Sequence, residues 1–277
     1  MKLDIRPGVH PQDFRRYDTK TARERLLVEK IFGEDEINLC LSLEDRLIFG
    51  GAAPASRPLS LDGGEESGLS PFFARREAAL ICVSGEGTVS VDSKDYRMKK
   101  TDGLYVGKGT KELIFRAEKG ERPRFYIASA PAHEARPALF IPIEKTKRLS
   151  AGEAGKASER TIHQYVHPEV CGSCQLLMGM TELSCGSVWN TMPCHTHIRR
   201  MEAYFYFNIK DGEAVFHLHG LPQESRHLVV QNEQAVISPS WSVHSGAGTA
   251  NYSFIWAMAG ENQDFNDTQG VSPSAMR

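Results

Sequence analysis

The sequence predicts an all-β fold made of two similar halves. Its apolar runs are short and are bounded by glycines or charged turns, a pattern typical of strands joined by tight turns. Helical periodicity is weak outside one short segment. Two separated stretches of the first half also resemble stretches of the second half, which indicates a duplicated unit.

The individual elements follow from local patterns. Segment 19–31 is expected to be a helix, because a capping threonine precedes an apolar face made of Leu26, Leu27 and Ile31. Short β-rich runs are expected to be strands in both halves. They are 80–83, 88–91, 103–106 and 113–115 in the first half, and 214–216, 228–230, 235–237 and 253–256 in the second half.

A duplication accounts for the resemblance between the halves. Residues 74–81 resemble 199–206, and residues 102–106 can be aligned with 233–237. A polar segment between these stretches looks like a connector. We therefore expect an N-terminal half at 1–143, a connector at 144–158 and a C-terminal half at 159–277.

The most informative motif lies in the second half, where His195 and His197 precede Glu202 and a later His244. Two histidines separated by one residue place both imidazoles on the same face of a strand. The glutamate then opens the next apolar run, which indicates a second strand after a bend. Three imidazoles and one carboxylate form a ligand set that suits Zn²⁺, Fe²⁺, Mn²⁺ or Ni²⁺. The sequence therefore predicts a metal site at these four residues.

A second copy of the same spacing provides a comparison. His217, His219 and Glu224 repeat it, and strand histidines are often core or surface residues without a metal. Glu224 lies in a turn-like stretch, and no aromatic strand follows it. It is also too close in sequence to His244 to leave room for the strands that a barrel needs. We therefore expect the first group to bind metal and the second group not to.

The N-terminal half is expected to hold no metal. In the register of the duplication, Ser70 and Phe72 stand where the two histidines of the HxH motif do, and Leu113 stands where His244 does. The side chains of Phe72 and Leu113 have no donor atom. One ion per chain is therefore expected.

Composition excludes several classes of protein. The chain has 277 residues, enough for a large core, and a net charge of −2, which gives no attraction to nucleic acid or to an anionic membrane. No apolar run approaches the roughly 18 to 20 residues of a membrane span. The N-terminus lacks the apolar core of a signal peptide. Six irregularly spaced cysteines are typical of a reduced, cytoplasmic protein.

Long motifs in the second half resemble a known family. Residues 190–197, 199–202, 204–207 and 232–246, which include all four candidate ligands, closely resemble the 4-deoxy-L-threo-5-hexosulose-uronate ketol-isomerases of the cupin superfamily. The likeness covers nearly the whole chain. It implies a bicupin, with two double-stranded β-helix (jelly-roll) barrels and few short helices. It further implies a cytoplasmic zinc enzyme of pectin breakdown that assembles as a homohexamer, with zinc held by His195, His197, Glu202 and His244.

The resemblance also implies the reaction. The substrate is a deoxy sugar acid with an aldehyde next to a hydroxyl-bearing carbon. The isomerase moves the carbonyl one carbon along, so that 5-dehydro-4-deoxy-D-glucuronate and 3-deoxy-D-glycero-2,5-hexodiulosonate interconvert. A divalent metal bound to both oxygens would act as a Lewis acid and a template. The sequence identifies no general base.

Four further residues are candidates for contact with the substrate. Arg199 or Arg200, in the bend beside the ligands, is suited to the substrate carboxylate, because a guanidinium matches its geometry. The alternatives for this pair are a solvated turn or an ion pair at a subunit interface. Tyr204 shares the strand face of Glu202 and is expected to point inward. Trp241 is a candidate for the floor of the pocket. The alternative for both aromatic residues is that they only support the fold and do not contact the substrate.

Two other functional classes fit the same ligands. An iron-containing cupin with three histidines and a glutamate can be an oxygenase, and a degenerate cupin can bind sugar acids as a regulator without turnover. Four protein ligands also fill a tetrahedral zinc ion, which is the pattern of a structural site. A regulator is expected to carry a DNA-binding helical module, and the sequence has no pattern for one. The isomerase is therefore the favoured hypothesis.

Overall fold

The computed structural model describes residues 1–63, 68–261 and 263–277, and it confirms the all-β prediction. Within these ranges the chain forms twenty-three strands in four sheets, together with two α-helices. Neither of these helices is long and apolar enough to cross a membrane. The helices are α1 (Pro11–Phe14) and α2 (Thr19–Leu26).

The first half of the chain contributes twelve strands. In chain order they are β1 (Lys2–Arg6), β2 (Leu27–Val28), β3 (Ile37–Ser42), β4 (Ile48–Ala52), β5 (Leu59–Ser60), β6 (Arg76–Ser84), β7 (Glu86–Val91), β8 (Lys94–Lys99), β9 (Gly103–Val106), β10 (Leu113–Ala117), β11 (Arg124–Pro131) and β12 (Leu139–Ile141). A seven-stranded sheet has the order β1-β3-β4-β11-β6-β9-β12, and a four-stranded sheet has the order β5-β10-β7-β8.

The second half contributes eleven strands. They are β13 (Lys147–Ala151), β14 (Arg160–Val166), β15 (Leu177–Leu183), β16 (Trp189–Thr196), β17 (Arg200–Phe207), β18 (Val215–Leu221), β19 (Glu224–Val230), β20 (Gln234–Ser238), β21 (Val243–Gly248), β22 (Ser253–Gly260) and β23 (Gln269–Gly270). A seven-stranded sheet has the order β13-β14-β15-β22-β17-β20-β2, and a five-stranded sheet has the order β19-β18-β21-β16-β23. Each half is thus a pair of sheets, as expected for two jelly-roll barrels.

The registers of the two large sheets repeat each other. Glu77 in β6 pairs with Ala130 in β11, and Glu202 in β17 pairs with Met258 in β22. On the other side of each central strand, Ala79 pairs with Tyr105 in β9, and Tyr204 pairs with Val236 in β20. These pairs agree with the alignment of 74–81 with 199–206 and of 102–106 with 233–237. Glu77 and Glu202 therefore occupy matching register positions but lie on opposite faces of their sheets, because Glu77 lies between the halves and Glu202 faces the interior of the second barrel.

The helix expected over 19–31 ends early, and the prediction is wrong beyond Leu26. Asp18 caps α2 by accepting from the Thr21 backbone N–H at 2.7 Å. Leu27 then has an extended backbone, with φ −99° and ψ 127°. Strand β2 pairs with β20, more than two hundred residues away in the chain. A long-range sheet pairing that buries both side chains of β2 outweighs the local helical pattern.

Two segments outside 159–277 thus belong to the second large sheet. One is β2, and the other is β13, which lies inside the segment 144–158 expected to be a connector and pairs with β14. Helix α1 also contacts the second barrel, because the ring of Phe14 lies 5.0 Å from that of His219. The early part of the chain therefore packs against the half that contains the HxH motif.

The hydrophobic core forms two clusters, and the larger one spans both halves. Tyr126 of the first half stacks on Phe205 of the second with ring centroids 4.8 Å apart. Between the halves, the buried carboxylate of Glu77 accepts the hydroxyl of Tyr105 at 2.6 Å. It also accepts the backbone N–H groups of residues 174, 175 and 176 at 2.7 to 2.9 Å. The two halves therefore pack against each other through their large sheets, while the smaller cluster fills the interior of the first barrel.

Candidate metal centre and its cavity

Strands β16, β17 and β21 bring the candidate ligands together. His195 lies near the end of β16, and His197 follows directly after this strand. A bend leads into β17, where Glu202 is the third residue. His195 pairs with His244 between antiparallel β16 and β21, with their ring centroids 4.6 Å apart. The local spacing thus sets three positions, and strand pairing adds the fourth.

The ligand atoms of these side chains converge on one point. The Nε2 atoms of His195 and His244 lie 3.1 Å apart. The Glu202 Oε2 atom lies 3.1 Å from the Nε2 of His197 and 3.1 Å from the Nε2 of His244. The three imidazole ligand atoms all lie within 4.8 Å of one another. Within the described ranges no other group of three such side chains is found.

These separations fit a single metal ion. Bonds of about 2.0 to 2.1 Å to one ion separate two ligand atoms by about 2.9 Å at a right angle and by about 3.3 Å at the tetrahedral angle. The observed 3.1 Å lies between these values. The side chains therefore need only small movements to bind an ion.

Hydrogen bonding indicates that a cation belongs between His197 and Glu202. The Nδ1 of His197 donates to the carbonyl oxygen of Arg200 at 2.8 Å, because a carbonyl can only accept. In the neutral ring the Nε2 atom then carries a lone pair, and this lone pair faces the Glu202 carboxylate. Two acceptors at this distance repel each other unless a cation lies between them. The donor set is therefore suited to a divalent metal.

Burial favours the neutral form of His195 and His244, which is the form that binds metal. Burial, together with the neighbouring His197, lowers the pKa of His195 to about 4. Burial also holds the pKa of His244 well below its ordinary value. Ser238 contacts the Nδ1 of His244 at 3.3 Å and orients the ring from behind.

A cavity of about 270 Å³ opens beside the ligands. One wall of the cavity is the inner face of the second large sheet, where Glu202 lies. His195, on β16 of the five-stranded sheet, also lines the cavity. The apolar part of the lining consists mainly of Phe254, Trp256, Met258 and Phe265, and the polar part includes Arg160, Thr181, Thr191, Arg200 and Tyr204. This volume is enough for a small sugar acid.

The two arginines of the bend have different environments. Arg199 is half exposed, and its Nε lies 2.8 Å from a carboxylate oxygen of Glu261. Arg200 lines the cavity but is 1% exposed. Its guanidinium forms an ion pair with Asp267 and also donates to the carbonyl oxygens of Asp264 and Phe265. Arg200 thus ties the segment 264–267 to the barrel.

The two aromatic candidates also differ. Tyr204 lines the cavity, as its place on the Glu202 face predicts, and its hydroxyl lies 3.4 Å from the hydroxyl of Thr191. Trp241 is not part of the cavity lining. Its indole donates to the carbonyl oxygen of Val9 at 2.9 Å, and its ring packs against Phe14 at 5.6 Å. The structure therefore places Trp241 against the N-terminal segment.

The second histidine pair lies deep inside the same barrel. His217 and His219 are both 0% exposed. The hydroxyl of Tyr206 contacts the Nδ1 of His217 at 2.7 Å. Glu224 lies apart from them, on β19, where its carboxylate is 3.0 Å from Arg15. The repeated spacing thus does not gather its three members as the first group does.

Arg160 is a cavity residue that no motif in the sequence indicates. It begins β14, and its side chain is half-buried. A single arginine in an alternating strand carries no local signal of function. The two-residue period of a strand shows only that Arg160 and Ile162 share a face.

Comparisons with known proteins extend the resemblance. A family model described as the KduI/IolB family matches residues 26–271. The 4-deoxy-L-threo-5-hexosulose-uronate ketol-isomerase 2 of Enterococcus faecalis is 50% identical over 270 residues, which cover 97% of this chain and 98% of the relative. The 4-deoxy-L-threo-5-hexosulose-uronate ketol-isomerase of Shouchella clausii is 47% identical over 276 residues, which cover 99% of this chain and 100% of the relative.

A solved structure supports the fold independently. The IolB-like protein of Salmonella typhimurium LT2 superposes with a TM-score of 0.70 at 17% identity, covering 89% of this chain and 96% of that chain. At this identity the likeness shows the fold alone, whereas the family rests on the sequence matches. The chain therefore belongs to the KduI/IolB family, and proteins named 4-deoxy-L-threo-5-hexosulose-uronate ketol-isomerase are its relatives over nearly its whole length.

Proposed function

We propose that this protein is a metal-dependent ketol-isomerase that interconverts 5-dehydro-4-deoxy-D-glucuronate and 3-deoxy-D-glycero-2,5-hexodiulosonate in the breakdown of pectin-derived uronates. One observation carries the proposal. Three imidazole nitrogens and the Glu202 carboxylate converge beside a cavity of the size of a small sugar acid. The names of relatives at 47% and 50% identity support the choice of substrate and reaction.

The proposed cofactor is one Zn²⁺ per chain, held by His195, His197, Glu202 and His244. Imidazole and carboxylate ligands are also suited to iron, manganese and nickel, so metal analysis has to decide among them. When bound, a divalent ion supplies a Lewis acid that polarises the substrate carbonyl and the adjacent hydroxyl. With all four residues as ligands, the ion would supply this chemistry only if a further coordination position were open to the substrate.

Tyr204 is suited to donate a hydrogen bond to the substrate. Burial raises the pKa of its hydroxyl well above the ordinary value, and the nearby Glu202 raises it further. The hydroxyl is therefore protonated at neutral pH and does not act as a base. A donor fixed beside the ligands stabilises negative charge that develops on a substrate oxygen.

The apolar wall of the cavity has a second role. Phe254, Trp256 and Met258 are all buried and lie along one face of β22. Their side chains exclude water from the space beside Glu202 and His195. Lower water content strengthens the electrostatic contacts that hold and polarise the substrate.

We also propose that the protein assembles as a homohexamer and is located in the cytoplasm. Phe216 and Val229 are paired across β18 and β19, and both are exposed apolar side chains on the outside of the second barrel. Such a pair is suited to a contact between subunits. All six cysteines are free thiols, which is typical of a reducing compartment.

Metal analysis combined with an isomerase assay tests the proposal. Purified protein is expected to contain one zinc ion per chain and to isomerise 5-dehydro-4-deoxy-D-glucuronate, the open-chain form of the unsaturated uronate. This activity is expected to be lost when a chelator removes the metal. Activity is expected to return when Zn²⁺ is added. Oxygen consumption in step with substrate would instead identify an oxygenase. Tight binding of the uronate without turnover by the metal-loaded protein would identify a sugar-acid-binding protein.

A further inference from the structure

The cavity beside the ligands has two cationic side chains in its lining, Arg160 and Arg200. The proposed substrate is an anion, so its carboxylate needs a cationic partner inside this space. The two arginines differ in whether a carboxylate of the protein already neutralises their charge and in how many of their N–H groups already donate hydrogen bonds.

Arg200 is committed to the protein. Its ion pair with Asp267 neutralises its charge, and both the guanidinium and this carboxylate are largely buried. Its remaining donors reach the Met258 sulfur at 3.1 Å and the carbonyl oxygens of Asp264 and Phe265. Binding a second carboxylate there would require these contacts to break.

Most of the N–H donors of Arg160 have no hydrogen-bond acceptor among the described residues. Its Nη1 atom donates to the carbonyl oxygen of Ser158 at 2.8 Å, and a guanidinium has five N–H groups in all. Among the residues that the structure describes, no carboxylate lies within ion-pair distance of it. Burial lowers the pKa of Arg160 below its ordinary value, and Tyr204 and Tyr252 lie near enough to oppose this shift. The side chain is thus a partly desolvated cation close to Tyr204.

The sheet register places Arg160 at the far end of the cavity. Glu202 pairs with Met258, whereas Tyr206, Phe254, Thr181 and Ile162 form a row across four strands at a level further from the metal ligands. Arg160 precedes Ile162 by two residues on β14. It therefore lies one step further along the sheet from the level at which Glu202 pairs with Met258. The proposed substrate has its aldehyde at one end and its carboxylate at the other, which matches a cavity with ligands at one end and a guanidinium at the other.

We infer that Arg160 binds the carboxylate of the substrate and makes the site selective for sugar acids over neutral sugars. This inference rests on the proposed function, since it assigns one end of the same cavity. The planar guanidinium offers two parallel N–H groups to the two carboxylate oxygens. The contact fixes the carbon chain, so that the aldehyde and its neighbouring hydroxyl point toward Glu202 and the histidines.

Binding and turnover of metal-loaded variants test the inference. In Arg160→Gln, kcat/KM for the uronate is expected to fall about tenfold to a hundredfold, because a charge-assisted bond is lost. Calorimetric affinity for D-glucuronate is expected to fall by a similar factor, while affinity for its neutral amide, D-glucuronamide, changes less than about twofold. Arg160→Lys is expected to be intermediate, since a point charge cannot form the fork.

Arg148 provides a matched control. It is an exposed arginine on the neighbouring strand β13, and it pairs with His163 of β14. Arg148→Gln is expected to leave metal content, glucuronate affinity and kcat/KM unchanged. Metal content is expected to stay at the wild-type level in both Arg160 variants. This result would show that Arg160 binds the substrate and does not act by supporting the metal-binding side chains.

The possible results distinguish a failure of the Arg160 assignment from a failure of the proposed isomerase function. Unchanged glucuronate affinity in Arg160→Gln, or in Arg160→Lys if the glutamine variant does not fold, overturns the role of Arg160 and leaves the isomerase assignment standing. A wild-type protein that fails to isomerise the uronate overturns the proposed function. In that case, selective binding of glucuronate over glucuronamide that disappears in Arg160→Gln still supports Arg160 as a carboxylate site.

Discussion

Glu77 and Glu202 occupy matching register positions in the two central strands, yet their carboxylates lie on opposite faces relative to the barrel interiors and contact different partners. Glu202 faces the imidazoles of His197 and His244 at 3.1 Å. Glu77 faces three backbone N–H groups of the segment 174–176 and the hydroxyl of Tyr105. In the first barrel the carboxylate thus joins the two halves, and the described residues around it include no histidine cluster.

Replacing Glu77 with glutamine is expected to destabilise the whole protein. The amide leaves at least one of the buried N–H groups of 174–176 without an acceptor, which costs about 1 to 3 kcal/mol for each group. The free energy of unfolding, measured with urea, is expected to fall by about 2 kcal/mol or more. Zinc content of the folded variant is expected to remain at the wild-type level. Loss of metal without loss of stability would contradict the structural role of Glu77.

Alanine at His195, His197 or His244 is expected to lower metal content and isomerase activity together, because each imidazole is proposed to supply one of four bonds to the ion. Metal is measured by elemental analysis after dialysis. Full metal occupancy in His244→Ala would rule out this ligand set.

His217 and His219 are the controls for this experiment. Both have the same HxH spacing and are buried in the same barrel, but neither belongs to the converging group. His217→Ala and His219→Ala are expected to retain metal near the wild-type level. They are expected to lose stability, because each leaves a space in a packed interior.

Stability is expected to fall with acidity because of His219. Burial lowers its pKa to about 3, with smaller contributions from Arg226 and His227, whereas the unfolded chain has a pKa of about 6.5. The unfolded state therefore binds the extra proton between these values, and stability is lost as pH falls through this window. Between pH 7 and pH 5 this group alone lowers the free energy of unfolding by about 2 kcal/mol.

Urea unfolding of His219→Leu at the two pH values measures this contribution. The variant is expected to lose about 2 kcal/mol less than the wild type on acidification. His133→Gln, an exposed substitution in the first half, is expected to retain the wild-type pH dependence. An identical pH dependence in His219→Leu and the wild type would show that His219 does not titrate as described.

The two arginines of the bend are expected to respond in opposite ways. Arg200→Gln removes one partner of a buried ion pair, so it is expected to cost about 3 to 5 kcal/mol of stability. Arg199→Lys changes a half-exposed side chain paired with Glu261, and kcat/KM is expected to stay within about twofold of the wild type. A tenfold loss in the Arg199 variant would instead make Arg199 the carboxylate anchor.

Local patterns predicted much of the candidate site. The alternation of a strand places His195 and His197 on one face, and the aromatic run after Glu202 indicates the next strand. Both features depend on neighbours in the chain, so spacing alone reveals them. The same holds for the duplication, whose alignment reappears in the pairing of Ala79 with Tyr105 and of Tyr204 with Val236.

Other features depend on partners that are distant in sequence. Helix α2 stops at Leu26 because β2 pairs with β20, and no local pattern contains that strand. Arg200 is neutralised by Asp267, which leaves Arg160 as the cavity cation without an ion pair among the described residues. His217 and His219 lie inside the barrel rather than on its surface.

The sequence by itself determined the class of fold and the donor atoms, because strand periodicity and ligand chemistry are properties of short segments. Only the tertiary structure decided which charges remain available inside the cavity and which buried carboxylate contacts histidines. Burial and pairing bring together residues far apart in the chain, and the energy of a charge depends on all the groups that surround it.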